Sequence, residues 1–156
     1  MNLAKINRNI MLLRVEVLKK PLTIEVMNKL IELNKQSIDP FYDFKKAQNI
    51  FVAALDGKKR GQPQPEDIIG FAILNKPHGH WYFRNCVVDK RHAGGVQKYL
   101  INARLEYIRK NGGKKVSVGV FPENYRSLNN LIDAGFKFKG MQENHLGRYQ
   151  LLVKYL

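Results

Sequence analysis

From Asn49 to Val120 the apolar residues of this chain change their spacing from a period of two to a helical period and back again. Alternation marks a strand and recurrence at three and four residues marks a helix, so the segment requires both, interleaved. Asn49–Leu55 (NIFVAAL), Ile68–Leu74 (IIGFAIL) and His80–Val88 (HWYFRNCVV) read as three successive strands. The polar stretch Asp56–Glu66, rich in Gly and Pro, is the long tip of a hairpin. Pro77-His78-Gly79 turns the chain before the third strand. Val96, Leu100, Ala103, Leu105 and Ile108 then mark a helix, and Asn111-Gly112-Gly113 is its stop signal. Lys115–Val120 (KVSVGV) alternates as the next strand.

The flanks extend the same scheme. Ile10–Lys19 alternates as a strand that Pro21 ends, and Thr23 is the N-cap of a helix carrying Val26, Leu30 and Leu33. Ile38–Ala47 (IDPFYDFKKA), aromatic and broken at Pro40, is expected to be a loop and a short helix. Tyr125–Ala134 reads as a short helix ending at Gly135. Phe136–Gly140 and Arg148–Tyr155 read as two final strands. Without repeats or a dividing linker, residues 1–156 form a single expected domain, an α/β (α+β) sandwich.

Composition excludes several classes. Apolar residues make up 44% of the 156, too many for a disordered chain. No run approaches the uninterrupted apolar length that spans a bilayer, and Met1–Met11 lacks the apolar block and cleavage site of a secretory signal. The single cysteine, Cys86, rules out an internal disulfide framework and suits a reducing compartment, so a cytoplasmic location is expected. The net charge of +14 draws anionic partners: a phosphorylated cofactor, an acidic protein surface or nucleic acid. The lysines are spread over loops and element ends, however, and no arginine-rich arm, zinc-finger spacing or aromatic RNA-binding motif accompanies them.

The stretch Val87–Gln97 (VVDKRHAGGVQ) carries the chemistry. A strand runs out at Val88, and Ala93-Gly94-Gly95 then leads into a helix. Amides in the first turn of a helix lack intrahelical partners and carry partial positive charge. Small residues let a phosphate approach them closely. The unit therefore reads either as a diphosphate cradle or as a plain strand-to-helix turn.

More than the loop is patterned. From Val87 to Val120 the chain resembles the GNAT superfamily of N-acetyltransferases without a gap. GVQKYLINARLEYIRKNGGKKVSVGV matches the family's helix, terminating glycines and strand. Asn124, Ser127 and Gly135-Phe136 are similar to its Asn-x-x-Ala/Ser helix followed by Gly-Phe. Ser127 and the GFKFKG ending look most like the ribosomal-protein N-terminal acetyltransferases. The first half matches only in the order of its elements.

The resemblance implies a GNAT-like acyl-CoA N-acyltransferase fold, a mixed central sheet with helices on both faces, and acetyl-coenzyme A as cofactor. Cys86, Val87 and Val88 would pair by backbone with the pantetheine arm, as an added strand does. A bulge in their strand would splay it from its neighbour and leave an N–H beside the thioester carbonyl. The amides of Ala93, Gly94, Gly95, Val96, Gln97 and Lys98 would hold the diphosphate, and Asn124 and Ser127 would line the cofactor side of the cleft.

Three positions depart from the family pattern. His92 stands where Arg or Gln is usual, Gln97 where Gly or Ala is usual, and Leu131 where a general-acid tyrosine is frequent. Gln97 either crowds the phosphates or points away. Ser127 or Tyr125 is left as proton donor; a phenol with a reference pKa of about 10 is the better match to a thiol. The strand His80–Val88 holds no Glu to serve as base, which leaves His80 and Glu143. His78 and His80 alternate, as on one face of a strand, but no Cys or carboxylate has the spacing to complete a metal site with them. Cys86 reads as a small buried hydrophobe.

Two functions follow as expectations. The first is acetyl-CoA-dependent transfer of an acetyl group to a primary amine (a protein N-terminus, a lysine or a small amine) by direct attack. Its acceptor is an amine-bearing partner, protein or RNA-associated, with no membrane partner, and both a monomer and a homodimer stay open. The second is a catalytically degenerate GNAT scaffold that binds nucleic acid or a ribonucleoprotein.

Overall fold

The computed structural model describes residues 2–6, 9–57, 61–92 and 94–156, with side chains described from residue 12 onward. Among the described residues eight strands form one sheet: β1 (Asn2–Ile6), β2 (Asn9–Val17), β3 (Ile50–Asp56), β4 (Ile68–Asn75), β5 (Trp81–Val88), β6 (Lys115–Val120), β7 (Lys137–Asn144) and β8 (Gly147–Tyr155). Their spatial order is β1-β2-β3-β4-β5-β6-β8-β7. Every neighbouring pair is antiparallel except β5–β6. A parallel pair needs a long crossover, and α2 (Val96–Lys110) provides it. The other helices are α1 (Ile24–Asn34) and α3 (Tyr125–Asp133).

Strand alternation assigns the helices to opposite faces. Phe51, Ala53, Leu55, Phe71 and Ile73 pack with Val26, Leu30 and Leu33 of α1. The intervening Val52, Ala54, Ala72 and Leu74 pack with Leu100, Ile101, Leu105 and Ile108 of α2 and Leu131 of α3. Covered on both faces, β4 is buried at all eight positions. The expected mixed sheet with helices on both faces is therefore present. No helix among the described residues is long and apolar enough to cross a membrane.

Several local expectations need correction. The chain before Met11 carries a strand, β1, that forms a hairpin with β2. Residues 38–47 hold turns and no helix. There Asp43 accepts from Lys45 N through its side chain (2.9 Å) and from Asn49 Nδ2 through its carbonyl (3.0 Å), bonds that compete with a helical ladder. Phe44 turns inward onto Phe51 and Phe71. The last hairpin is longer than expected, so Glu143 belongs to β7, opposite Arg148, and not to a loop. His78 and His80 do not share a strand face. His78 sits in a 3-10 turn with φ 52°, and His80 caps that turn with its N–H on Pro77 O at 3.1 Å.

Candidate active site

The centre of the site is an irregularity in β5. Gly70, Phe71 and Ala72 of β4 pair with Val88, Val87 and Cys86, whereas Leu74 and Asn75 pair with Phe83 and Tyr82. Arg84 and Asn85 therefore both stand opposite Ile73, the two-against-one count of a β-bulge. Arg84 Nε donates to Asn75 Oδ1 (3.0 Å), and Asn85 Nδ2 donates to Asn34 Oδ1 (2.8 Å) and Asp39 O (3.1 Å), on the side of the sheet that carries α1. Asn75 Nδ2 in turn reaches Tyr42 Oη (3.0 Å) and Asn49 Oδ1 (3.2 Å). On its other edge β5 meets β6 only through Trp81, Tyr82 and Phe83, against Val116, Ser117 and Val118. Beyond Phe83 the parallel strands part, and the β5 backbone from Arg84 to Val88, including Cys86 and Val87, faces no strand on that side.

This wedge leads to the N-terminus of α2. Asp89, buried at the end of β5, accepts from Arg91 N (3.0 Å) and from the Arg91 guanidinium (2.9 Å at the shortest), and its carbonyl accepts from His92 N (2.8 Å). The hydrogen bond from Arg91 is the main reason its carboxyl is held well down, at about 2. A depressed carboxyl adds stability above its unfolded value of about 3.9 and loses it as pH falls through the folded value. Asp89→Asn should therefore cost stability at pH 5 and above, with the difference from the parent vanishing between about pH 4 and pH 2. Chemical denaturation across that range measures it. Loosening the turn should weaken anion binding at the glycines by about 2- to 10-fold, the worth of one hydrogen bond.

Gly94 and Gly95 have φ of 105° and 85°. L-residues rarely adopt this conformation, so the glycines are there for the backbone they permit. A Cβ at either would meet nothing within 4 Å, so the space over the loop is open. Gly95 is the N-cap and makes no side-chain cap bond, which leaves the first amides of α2, Val96 to Lys98, without a side-chain cap. His92 Nδ1, beside them in sequence, is buried and has no hydrogen-bond partner among the described residues. Ala93 lies outside the described residues. An open glycine loop, an uncapped helix start and an orphaned ring nitrogen together fit a diphosphate.

Gln97 does not bend back over this loop. Its Nε2 donates to Ser127 Oγ at 2.9 Å and its Oε1 accepts from Asn130 Nδ2 at 2.8 Å, tying α2 to α3. Asn124 is the N-cap of α3, accepting from Ser127 N at 3.4 Å. Tyr125, two positions before Ser127, is rotated from it by about 200° around the helix and is 70% exposed. Only Ser127 of the two is thus turned toward α2. Leu131, at the position where the family often has tyrosine, is a core residue packed with α2.

The remaining candidates are dispersed. His80 precedes the first residue of β5, about 13 Å of strand from Arg84, and is exposed. Glu143 is exposed on β7. Among the described residues neither hydrogen-bonds a residue of the bulge or of the α2 N-terminus. Cys86 is partly buried against the core, and desolvation pushes its thiol pKa up, which suits a packing role. Sequence reading missed the polar set on the α1 side, Asn34, Tyr42, Asn49, Asn75, Arg84 and Asn85, which carries no local signature. It also missed Arg104, for which a signal existed. Arg104 lies four residues from both Leu100 and Ile108, on the apolar stripe of α2.

The fold has known counterparts. A NatC complex bound to Gag peptide and CoA matches with a TM-score of 0.71 at 17% identity, over 92% of this chain and 98% of that one. Arabidopsis thaliana NAA60 with a bisubstrate analogue matches with a TM-score of 0.72 at 15% identity, over 92% and 97%. A GNAT acetyltransferase of Elizabethkingia anophelis with acetyl-CoA bound matches with a TM-score of 0.67 at 15% identity, over 92% and 98%. At such identities the likeness establishes the fold. No curated protein matches the sequence. The family itself follows from sequence: the model of the acetyltransferase (GNAT) family matches residues 20–136, well over half of the chain. The chain therefore belongs to the acetyltransferase (GNAT) family and is, by that membership, an N-acetyltransferase.

Proposed function

We propose that this enzyme transfers an acetyl group from acetyl-coenzyme A to the α-amine of a protein N-terminus. The observation that carries the donor half is the parting of β5 from β6 directly ahead of the glycine-lined start of α2. When bound, acetyl-coenzyme A supplies a thioester whose carbonyl carbon the amine attacks. The amides of Gly94 to Lys98 and His92 Nδ1 hold its diphosphate, and the unpaired edge of Arg84–Val88 accepts its pantetheine arm as an added strand. A backbone N–H at the bulge polarises the carbonyl. Ser127, whose Oγ already accepts from Gln97, keeps its own hydrogen to donate toward the departing sulfur.

The acceptor reading draws on the α1 side of β5, because α2 and its core close the other face. Arg84 stands there without a carboxylate partner among the described salt bridges. Together with the net charge of +14, it suits a peptide with an acidic residue next to its free amine. The likeness to a NatC complex bound to Gag peptide supports a peptide substrate. One continuous sheet supports treating residues 1–156 as one domain, and a single cysteine with a packed thiol supports a cytoplasmic location.

No imidazole or carboxylate hydrogen-bonds the side chains of Arg84 or Asn85 among the described residues, so the amine loses its proton to water. For a peptide acceptor kcat/KM should rise tenfold per pH unit and level near pH ~8, the range of an α-amine, whereas a lysine acceptor would keep rising toward about 10.4. Acetylation assays on peptides beginning Ser-Glu and Ser-Lys, and on a blocked peptide with one internal lysine, test this. The acidic peptide should be preferred by about 10-fold, the worth of one charged hydrogen bond. A preference for the blocked lysine peptide would overturn the acceptor reading, and failure to bind acetyl-coenzyme A in calorimetry would overturn the donor reading.

A further inference from the structure

Arg104 lies in the third turn of α2 and is 2% exposed, the least of any charged residue among those described. None of the described salt bridges includes it. Its Nη1 donates to Ile73 O (3.3 Å) and to Arg84 O (3.5 Å), and its Nε donates to Leu100 O (3.3 Å). The guanidinium carbon is 3.7 Å from the centroid of the Phe83 ring. Burial lowers its pKa to about 10, which leaves it charged at neutral pH.

A buried cation is a costly way to fill a core, since an apolar side chain of similar volume usually serves stability as well or better. The two carbonyls on β4 and β5 explain it. Ile73 is the residue opposite the bulge, and Arg84 is the first residue of the bulge. A bulge breaks the regular ladder and turns carbonyls away from their cross-strand partners, and a buried carbonyl must still find a donor. A planar guanidinium reaches both at once, which an ammonium on a flexible stem does not do as well. The same helix begins with the glycine cradle, and at ~1.5 Å per residue Arg104 sits about 12 Å along its axis from Val96.

We propose that Arg104 is a positioning residue of the donor site, holding the carbonyls of Ile73 and Arg84 so that β5 stays bulged and parted from β6 where the acyl-coenzyme lies. Its role toward the coenzyme rests on the reading given under Proposed function; its role toward the bulge does not. α2 then carries two devices of one site, the anion cradle at its start and the buttress of the bulge in its third turn.

The test compares the parent with Arg104→Met and Arg104→Lys. Amide hydrogen exchange should show protection lost selectively at residues 73 and 83–86, with β3 and the core of α1 unchanged. Calorimetry with coenzyme A should show binding weakened at least tenfold in Arg104→Met and less in Arg104→Lys. Turnover should fall mainly in kcat, with the acceptor KM within about threefold of the parent. Should Arg104→Met fail to fold, the lysine variant decides by the same readings. Uniform loss of protection across the sheet, or coenzyme binding and kcat within twofold of the parent in both variants, would reduce Arg104 to a core residue and overturn the proposal. If the parent itself binds no coenzyme A, the acetyl-coenzyme reading fails, while selective exchange at the bulge in Arg104→Lys still establishes the buttress.

Discussion

Gly95→Glu should leave a folded protein whose affinity for coenzyme A has dropped by more than about 100-fold, the worth of two or more charge-assisted hydrogen bonds. Gly95 has φ 85°, and its added Cβ would meet nothing within 4 Å. The free protein therefore suffers only the backbone strain of a side chain in that region, about 1–2 kcal/mol. For a chain of this size that lowers the melting temperature by a few degrees, roughly 2–4 °C per kcal/mol. The ligand meets a different obstacle: the side chain occupies the open space above the amides, and its carboxylate repels a diphosphate. Gly112→Glu is the matched control. Gly112, at the other end of α2, has φ 76° and the same open surroundings. It should lower the melting temperature at least as much, because a carboxylate is disfavoured at a helix C-terminus, and leave binding untouched. If calorimetry finds Gly95→Glu and Gly112→Glu alike in affinity, the diphosphate is not held at the start of α2.

Gly70→Ala should cost about 2–3 kcal/mol of stability, the upper range for an overpacked core, and about 5–10 °C in melting temperature. A Cβ at Gly70 would lie 2.8 Å from the Val87 carbonyl oxygen and 3.2 Å from Val88 Cα. These are backbone atoms with no rotamer to yield, so β5 itself must move away from β4. The displaced residues run into Asp89 and the glycine loop, so coenzyme affinity should fall as well, by about tenfold. Differential scanning calorimetry and titration of the same sample measure both. An unchanged melting temperature would mean that the two strands are not packed as tightly as this geometry requires.

The two positions differ in how they could be found. Gly95 stands out in the sequence because Gly-Gly directly precedes a helical period. Gly70 sits inside IIGFAIL, where its small size matters only once β5 is laid beside it. The same division runs through the whole chain. Strands β3 to β6 and helices α1, α2 and α3 were legible because hydrophobic period and stop signals are local properties. Residues 38–47 are turns and not partly helical because Asp43 takes up local donors and Phe44 turns toward Phe51 and Phe71, partners elsewhere in the fold. The existence of a bulge was an inference from family resemblance; its position at Arg84 and Asn85 depends on the register with β4, which no local pattern encodes. The sequence leaves open whether Gln97 crowds the phosphates or points away; its amide is taken up by Ser127 and Asn130, thirty or more residues away.

By itself the sequence determined the order of the elements from β2 onward, apart from the helix expected within residues 38–47, and the glycine loop at the start of α2, because each is written in the spacing of neighbouring residues; the helices on both faces of the sheet came from the family resemblance. Only the tertiary structure decided where β5 leaves β6, which way Gln97 points, that Ser127 and not Tyr125 faces α2, and that a buried arginine holds the bulge. Those outcomes are pairings of polar groups brought together by packing. A buried donor takes whichever acceptor the fold delivers to it, and that partner is separated along the chain by tens of residues.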